Sequence, residues 1–191
     1  MIDFRQTSNY NIIMINLDGL RRDKVQYCDS LKSLIDESYF FSNMNTVAPY
    51  TFASIHAIMS GMYPSSNGVD GYYNMFKFKN NLITTLPEIL QKFNYFTSCD
   101  INSEAIIPKK GFNDYQIYDE QLINFSSRHT EIIKKLSNRK FFLFLQNTET
   151  HNNLIREIIQ NDKDNLDNNY FESRKNNDLR YNSQLPQTDL Y

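Results

Sequence analysis

Two residues in this sequence combine a reactive side chain with a setting that could use it. Asp18 ends the apolar run Asn11-Ile12-Ile13-Met14-Ile15-Asn16-Leu17 and is followed at once by Gly19. A carboxylate at the end of a buried strand stands at the carboxyl edge of a sheet. There it either caps the next turn or holds a hard divalent cation. Thr51 opens a helical stretch within Pro49-Tyr50-Thr51-Phe52-Ala53-Ser54. Its hydroxyl is either an ordinary helix cap or a group facing free backbone N–H donors and the positive end of the helix dipole, where phosphate or sulfate is favoured. Beside a metal ion such a hydroxyl reaches its alkoxide form and becomes a nucleophile.

The elements that would position these residues follow from the hydrophobic pattern. Asn11 to Leu17 has the unbroken apolar character of a parallel strand covered on both faces. Leu31, Leu34 and Ile35 lie at helical spacing, and the aromatic-rich segment Tyr39 to Val47 predicts a second strand. Thr51 to Ser60 predicts a helix stopped by Gly61, and Met62 to Tyr73, with Pro64, Gly68 and Gly71, a loop. Thr85 can cap a further helix with Pro87 in its first turn. Strands are expected over Tyr95–Ile101, at Ile117-Tyr118 and over Lys140–Gln146, and Glu131–Leu136 reads as helix. Alternating strands and helices imply an α/β fold with a mainly parallel sheet flanked by helices. Ligands of such sheets gather beyond the carboxyl ends of the strands. Asp18, Thr51 and the segment Thr148–His151 all follow expected strands, so they can converge.

Composition narrows the classes. The 191 residues carry a formal net charge of -2 with no clustered basic face, which argues against nucleic acid as a partner. Cys28 and Cys99, the only cysteines, are isolated and give neither a disulfide framework nor a zinc spacing; both are expected as small buried hydrophobes. Met1 to Asn9 lacks the apolar core of a signal peptide, and no apolar run is long enough for a transmembrane segment, so the expected location is cytoplasmic. A polar stretch from Asn161 onward suggests a division into residues 1–160 and a tail, 161–191.

Several motifs, in order, carry a family resemblance. Asn11 to Leu17 with Asp18-Gly19-Leu20-Arg21-Arg22-Asp23 resembles the opening strand and first metal aspartate of the sulfatase-like branch of the alkaline phosphatase superfamily. Thr51 to Gly61, then Met62-Tyr63-Pro64 and Gly68-Val69, is similar to its nucleophile helix and following loop. Thr85 to Leu90, Asn94 to Thr97, Gly111-Phe112, and Phe141 to Leu145 with Glu149-Thr150-His151 resemble later segments of the same family. The resemblance implies an alkaline-phosphatase-like α/β fold. It implies Asp18 as a metal ligand, Thr51 as both nucleophile and metal ligand, His151 as a substrate-binding residue, and a small anionic ester as substrate. The implied cofactor is a divalent metal ion, with calcium, zinc and manganese all open.

The departures are informative. Sulfatases of the family carry a formylglycine made from cysteine or serine, with an arginine four residues later; here those positions hold Thr51 and Ile55. Threonine cannot yield that aldehyde. Threonine resembles instead the phosphodiesterase, nucleotide pyrophosphatase and phosphoethanolamine-transferase relatives, as does Gly19 in place of a second aspartate, and phosphate esters are favoured over sulfate esters. Asn67 stands where many relatives carry histidine. Family members are also much longer and place further ligands in an Asp-His-Gly segment, whereas no Asp-His pair occurs here. The expectation is therefore the N-terminal part of a catalytic domain. The alternatives are a truncated, catalytically inactive relative, and an unrelated nucleotide-binding module. The latter is disfavoured by the missing Gly-x-Gly-x-x-Gly after the first strand.

Overall fold

The computed structural model describes residues 10–120 and 123–151. The chain divides into two compact units, Met1–Thr148 and Glu149–Tyr191. The division expected after residue 160 lies outside the described residues.

The first unit is built on a four-stranded sheet of order β1-β4-β2-β3. Its strands are β1 (Ile12–Leu17), β2 (Phe96–Ile101), β3 (Asp114–Ile117) and β4 (Phe141–Asn147), and every pairing is parallel. The run Phe-Phe-Leu-Phe-Leu makes β4 the central strand because both of its faces can be buried. Phe142 and Phe144 point into a core with Ile55, Met59 and Leu90, supplied by helices α2 (Thr51–Ser60) and α4 (Leu86–Gln91). Phe141, Leu143 and Leu145 point the other way, onto Ile132 and Leu136 of α5 (Phe125–Leu136). Each of these buried side chains contributes about 1.5–3 kcal/mol of apolar transfer.

Local signals set the helix ends. Thr85 and Glu88 form a reciprocal capping box at the start of α4, with Pro87 in its first turn. Gly61 ends α2 in the left-handed conformation, φ 64°. The neighbouring Gly111, φ +87°, has the Glu88 backbone nitrogen 2.7 Å from where a Cβ would stand, so only glycine lets this loop reach α4.

Four sequence expectations are corrected. Tyr39 to Val47 is not a strand: it is irregular, and Tyr39, Phe41 and Met44 are 95%, 72% and 81% exposed. Aromatic content reports a preference for a half-buried pleated surface, and among the described residues no strand pairs with this segment to provide one. Strand β1 is covered on one face only. Ile12 and Met14 pack on the core, whereas Ile13 and Ile15 on the opposite face are exposed, because β1 is an edge strand and α5 packs behind β4. Cys28 is exposed, just before the amphipathic helix α1 (Asp29–Asp36), which buries none of its residues; Cys99 is buried as expected. The loop after α2 also contains a short helix, α3 (Pro64–Asn67). No helix among the described residues is long and apolar enough to cross a membrane.

A buried charge pair ties α5 to the sheet. Asp100, fully buried on β2, accepts bonds from Arg128 Nε at 2.8 Å and Nη2 at 2.7 Å. His129, for which the sequence offers no partner, lies with Nε2 3.7 Å from the same carboxylate. Removing one member of such a pair leaves an uncompensated buried charge, whereas replacing both with apolar residues is nearly neutral. Arg128→Met is expected to lower unfolding free energy by about 3 kcal/mol, and the double variant Asp100→Leu/Arg128→Met to regain most of it. Urea unfolding of both measures this; equal losses in the single and the double variant contradict it.

Candidate active site

The site begins where β1 ends. The Asp18 backbone N–H donates to Asn147 O at 2.9 Å, extending the β1–β4 ladder one step past the strand. Gly19 then turns the chain away with φ 76°, so the carboxylate remains at the carboxyl edge of the sheet.

Thr51 arrives from the other side. Tyr50 precedes it in extended conformation and is fixed by ring contacts to Phe52 and Tyr72, with its hydroxyl donating to Asp70 O at 2.8 Å. Ser54 Oγ donates to Ala48 O at 2.9 Å, which fastens the first turn of α2 to the segment before it. The helix cap is Tyr50, without a side-chain capping bond, and Thr51 is the first helical residue. Its hydroxyl is therefore not a helix cap. It donates to Asp18, with Oγ1 3.0 Å from Oδ1 and 3.2 Å from Oδ2. The structure thus brings together two oxygen-bearing groups 33 residues apart.

The floor beneath this pair is neutral. Gln146 of β4 is fully buried; its Nε2 donates to Asp18 Oδ2 at 3.2 Å, and its Oε1 accepts from the Asn102 backbone N–H at 3.2 Å. Tyr118 donates its hydroxyl to Gln146 O at 2.9 Å. Asn16 is the register partner of Gln146 across the ladder, and its Nδ2 is buried without a hydrogen-bond partner. None of these amides was among the expected site residues. The available signal was a polar side chain interrupting an otherwise apolar strand one or two positions before its end, a placement that is costly unless a partner waits there.

The other singled-out residues take varied positions. Arg21 is turned onto Asp23, in a two-pronged pair with Nε–Oδ1 2.9 Å and Nη2–Oδ2 2.8 Å. Asn67 is fully buried and shapes its own loop, accepting from the Val69 N–H at 2.9 Å. His56 is buried in α2, its Nδ1 2.8 Å from Phe52 O and its ring against Phe78. His151 belongs to the second unit, where it is exposed and helical.

A carboxylate and a hydroxyl oxygen are hard donors of the kind that divalent cations prefer. Asp18 and Thr51 fit such an ion as two of its ligands. Among the described residues no group of three or more His, Cys, Asp or Glu side chains is gathered to hold a metal.

Comparison with known proteins defines first the fold class. The solved structure of BT4656 in complex with its substrate D-glucosamine-2-N,6-O-disulfate aligns with TM-score 0.56 and 18% identity, over 71% of this chain and 34% of that one. The two share an α/β fold of the alkaline-phosphatase type, of which this chain spans about a third of the BT4656 length. Residues 12–88, which include both Asp18 and Thr51, match the type I phosphodiesterase / nucleotide pyrophosphatase family. No curated protein matches the chain.

Buried His56 and half-buried His129 make the framework of the site acid-sensitive. Burial lowers the pKa of His56 below its ordinary value of 6.5, against the opposing pull of the Phe52 carbonyl, and burial also lowers that of His129. As pH falls, the unfolded chain takes up these protons first. The stability contributed by the neutral rings is complete above the unfolded value and is lost progressively below it. The urea midpoint should therefore drop as pH falls through and below the ordinary histidine value of 6.5, with a shallower drop in His56→Gln. Identical pH slopes for wild type and variant would contradict a buried neutral His56.

Proposed function

We propose that this chain carries the nucleophile of a metal-dependent phosphoesterase in which Thr51 attacks phosphorus. The observation that carries the reading is the bond between Thr51 Oγ1 and the Asp18 carboxylate, at 3.0 Å, at the start of a helix and the carboxyl edge of a parallel sheet. The type I phosphodiesterase match over residues 12–88 supports it.

Asp18 and Thr51 would hold the cation, which when bound would supply positive charge to favour the Thr51 alkoxide and offset the charge of the ester oxygens. The chain's own residues do the remaining work. Asp18 accepts the Thr51 hydroxyl proton in a hydrogen bond and so aims the oxygen. The uncapped first turn of α2 offers backbone N–H donors to the anion. Thr51 Oγ1 forms a bond to phosphorus, the ester P–O bond breaks, and the alcohol leaves with a proton. Water then cleaves the threonine–phosphorus ester, restoring the hydroxyl and releasing phosphate from a monoester substrate or the phosphate monoester from a diester. His151, four residues beyond β4, is the proposed contact for the substrate's anionic group, by family resemblance. The substrate is a small anionic ester, with phosphate favoured over sulfate by Thr51 and Ile55.

A second reading is a relative that keeps the fold without catalysis. It is favoured by the absence, among the described residues, of any group of three or more His, Cys, Asp or Glu side chains able to hold a metal ion.

Hydrolysis of bis(4-nitrophenyl) phosphate with added manganese tests the first reading. Wild-type turnover is expected to be lost on chelation of the metal and to fall by at least about 1000-fold in Thr51→Ala, while Asp18→Ala weakens metal binding measured by calorimetry. Turnover unchanged in Thr51→Ala removes the residue from its role. Absence of manganese binding at millimolar metal by the wild-type chain supports the second reading.

A further inference from the structure

Gln146 is a side chain that joins the end of β1 to the end of β2 across β4. Its position in the ladder explains how. Residues of β4 alternate between the two faces of the sheet, and Gln146 shares the face of Phe142 and Phe144, toward α2. Its register partner on β1 is Asn16, two residues before Asp18, so Gln146 Nε2 reaches the carboxylate that follows β1.

The direction of the amide is settled by its other end. The Asn102 backbone N–H can only donate, so the Gln146 atom that it meets is the carbonyl oxygen, and the –NH2 must face Asp18. A side chain held at both ends cannot rotate away. Asp18 Oδ2 thereby receives two donors, Gln146 and Thr51, each at 3.2 Å, while Oδ1 receives Thr51 at 3.0 Å.

The chemistry of the donor matters. A lysine or arginine in this position would neutralise Asp18 and compete with a cation for it. An amide orients the carboxylate and leaves its charge in place. Burial strengthens the constraint, because Gln146 is fully buried and loss of its partner would leave a polar group with nowhere to turn. The opposing Asn16 adds no charge of its own.

We propose that Gln146 is a positioning residue for Asp18: it fixes the carboxylate plane so that one edge faces Thr51, and its identity as an uncharged donor preserves the charge available to a metal ion. The inference rests on the phosphoesterase reading for its catalytic consequence, but the contact itself can be tested separately.

The first measurement uses the full 191-residue chain labelled with nitrogen-15. Asp18→Ala is expected to shift the Gln146 side-chain amide resonances, and Gln146→Leu to speed hydrogen exchange at the Asn102 backbone N–H. A Gln146 resonance indifferent to Asp18→Ala overturns the inference, whatever the activity of the chain. The second measurement is manganese-supported turnover of bis(4-nitrophenyl) phosphate by Gln146→Leu and Gln146→Glu, with thermal unfolding checking that each folds. Loss of an orienting partner is expected to lower kcat by about 10- to 100-fold with KM within about twofold of wild type. Gln146→Glu, which retains size and the acceptor facing Asn102 but loses the donor, should show the same loss even where Gln146→Leu fails to fold. Full kcat in a folded Gln146 variant, alongside an inactive Thr51→Ala, overturns the positioning role. A wild-type chain that hydrolyses no diester overturns the phosphoesterase reading and the catalytic half of this inference, and the resonance comparison still decides the contact.

Discussion

The burial of β4 at the centre of the sheet is the constraint on which the rest of the structure depends. Both β1 and β2 pair with it, α2 and α4 cover one of its faces, and α5 covers the other. Because side chains alternate along a strand, the apolar residues that fix its register also fix which way Gln146 points. A slip of one residue would move Gln146 to the α5 face and take the donor away from Asp18. The same register sets the bond from the Asp18 N–H to Asn147 O. Packing forces in the middle of the strand therefore determine polar geometry at its end, a direct link from hydrophobic pattern to candidate chemistry.

The two faces of the sheet's carboxyl edge divide the electrostatics between them. Toward α2 lie Asp18, Thr51 and the neutral amides of Gln146 and Asn16. Toward α5 lies Asp100, whose register partner on β4 is Leu145 and whose charge is met by Arg128 through two short bonds. This pairing binds Asp100 to a structural role and holds α5 against the sheet. The contrast is between a carboxylate gripped by a guanidinium from its own chain and one that accepts bonds from the hydroxyl of Thr51 and the amide of Gln146. Neither of these two donors to Asp18 carries a charge of its own.

Much of this was legible in the sequence, for identifiable reasons. Strand β4 and helix α2 declare themselves through uninterrupted apolar runs and a terminal glycine, and the capping box of α4 is spelled out by Thr85, Pro87 and Glu88. Asp18 and Thr51 were legible because each sits at the boundary of such an element. The segment Tyr39 to Val47 misled because aromatic residues favour strands only where a neighbouring strand and a covering layer exist. The exposure of Ile13 and Ile15 was hidden for a related reason: an apolar run says that a strand can be covered twice, and position in the sheet decides whether it is. Gln146 stood out as a polar interruption of an apolar strand, but its partners were illegible because they come from the segments after β1 and β2, and no local spacing encodes that meeting. Arg128 and His129 likewise reveal their partner only once α5 is laid over β2.

The choice between phosphate and sulfate chemistry also has a structural side at Ile55. In sulfatases that use formylglycine, an arginine follows that residue by four positions on the same helix, and its charge belongs to the site. Here the corresponding Ile55 is 4% exposed and lies in the core with Met59, Phe142 and Phe144. A guanidinium placed among those side chains would lose its hydration without gaining a counter-ion, a penalty of several kcal/mol. The packing of α2 against β4 is thus built around an apolar residue where the other chemistry places a cation. The hydroxyl at Thr51 and the isoleucine at 55 are two consequences of one helix, the first facing Asp18 and the second facing the sheet. Changing Thr51 alone to cysteine would consequently supply the precursor of an aldehyde without the arginine that accompanies it, on a helix whose corresponding position is packed among Met59, Phe142 and Phe144.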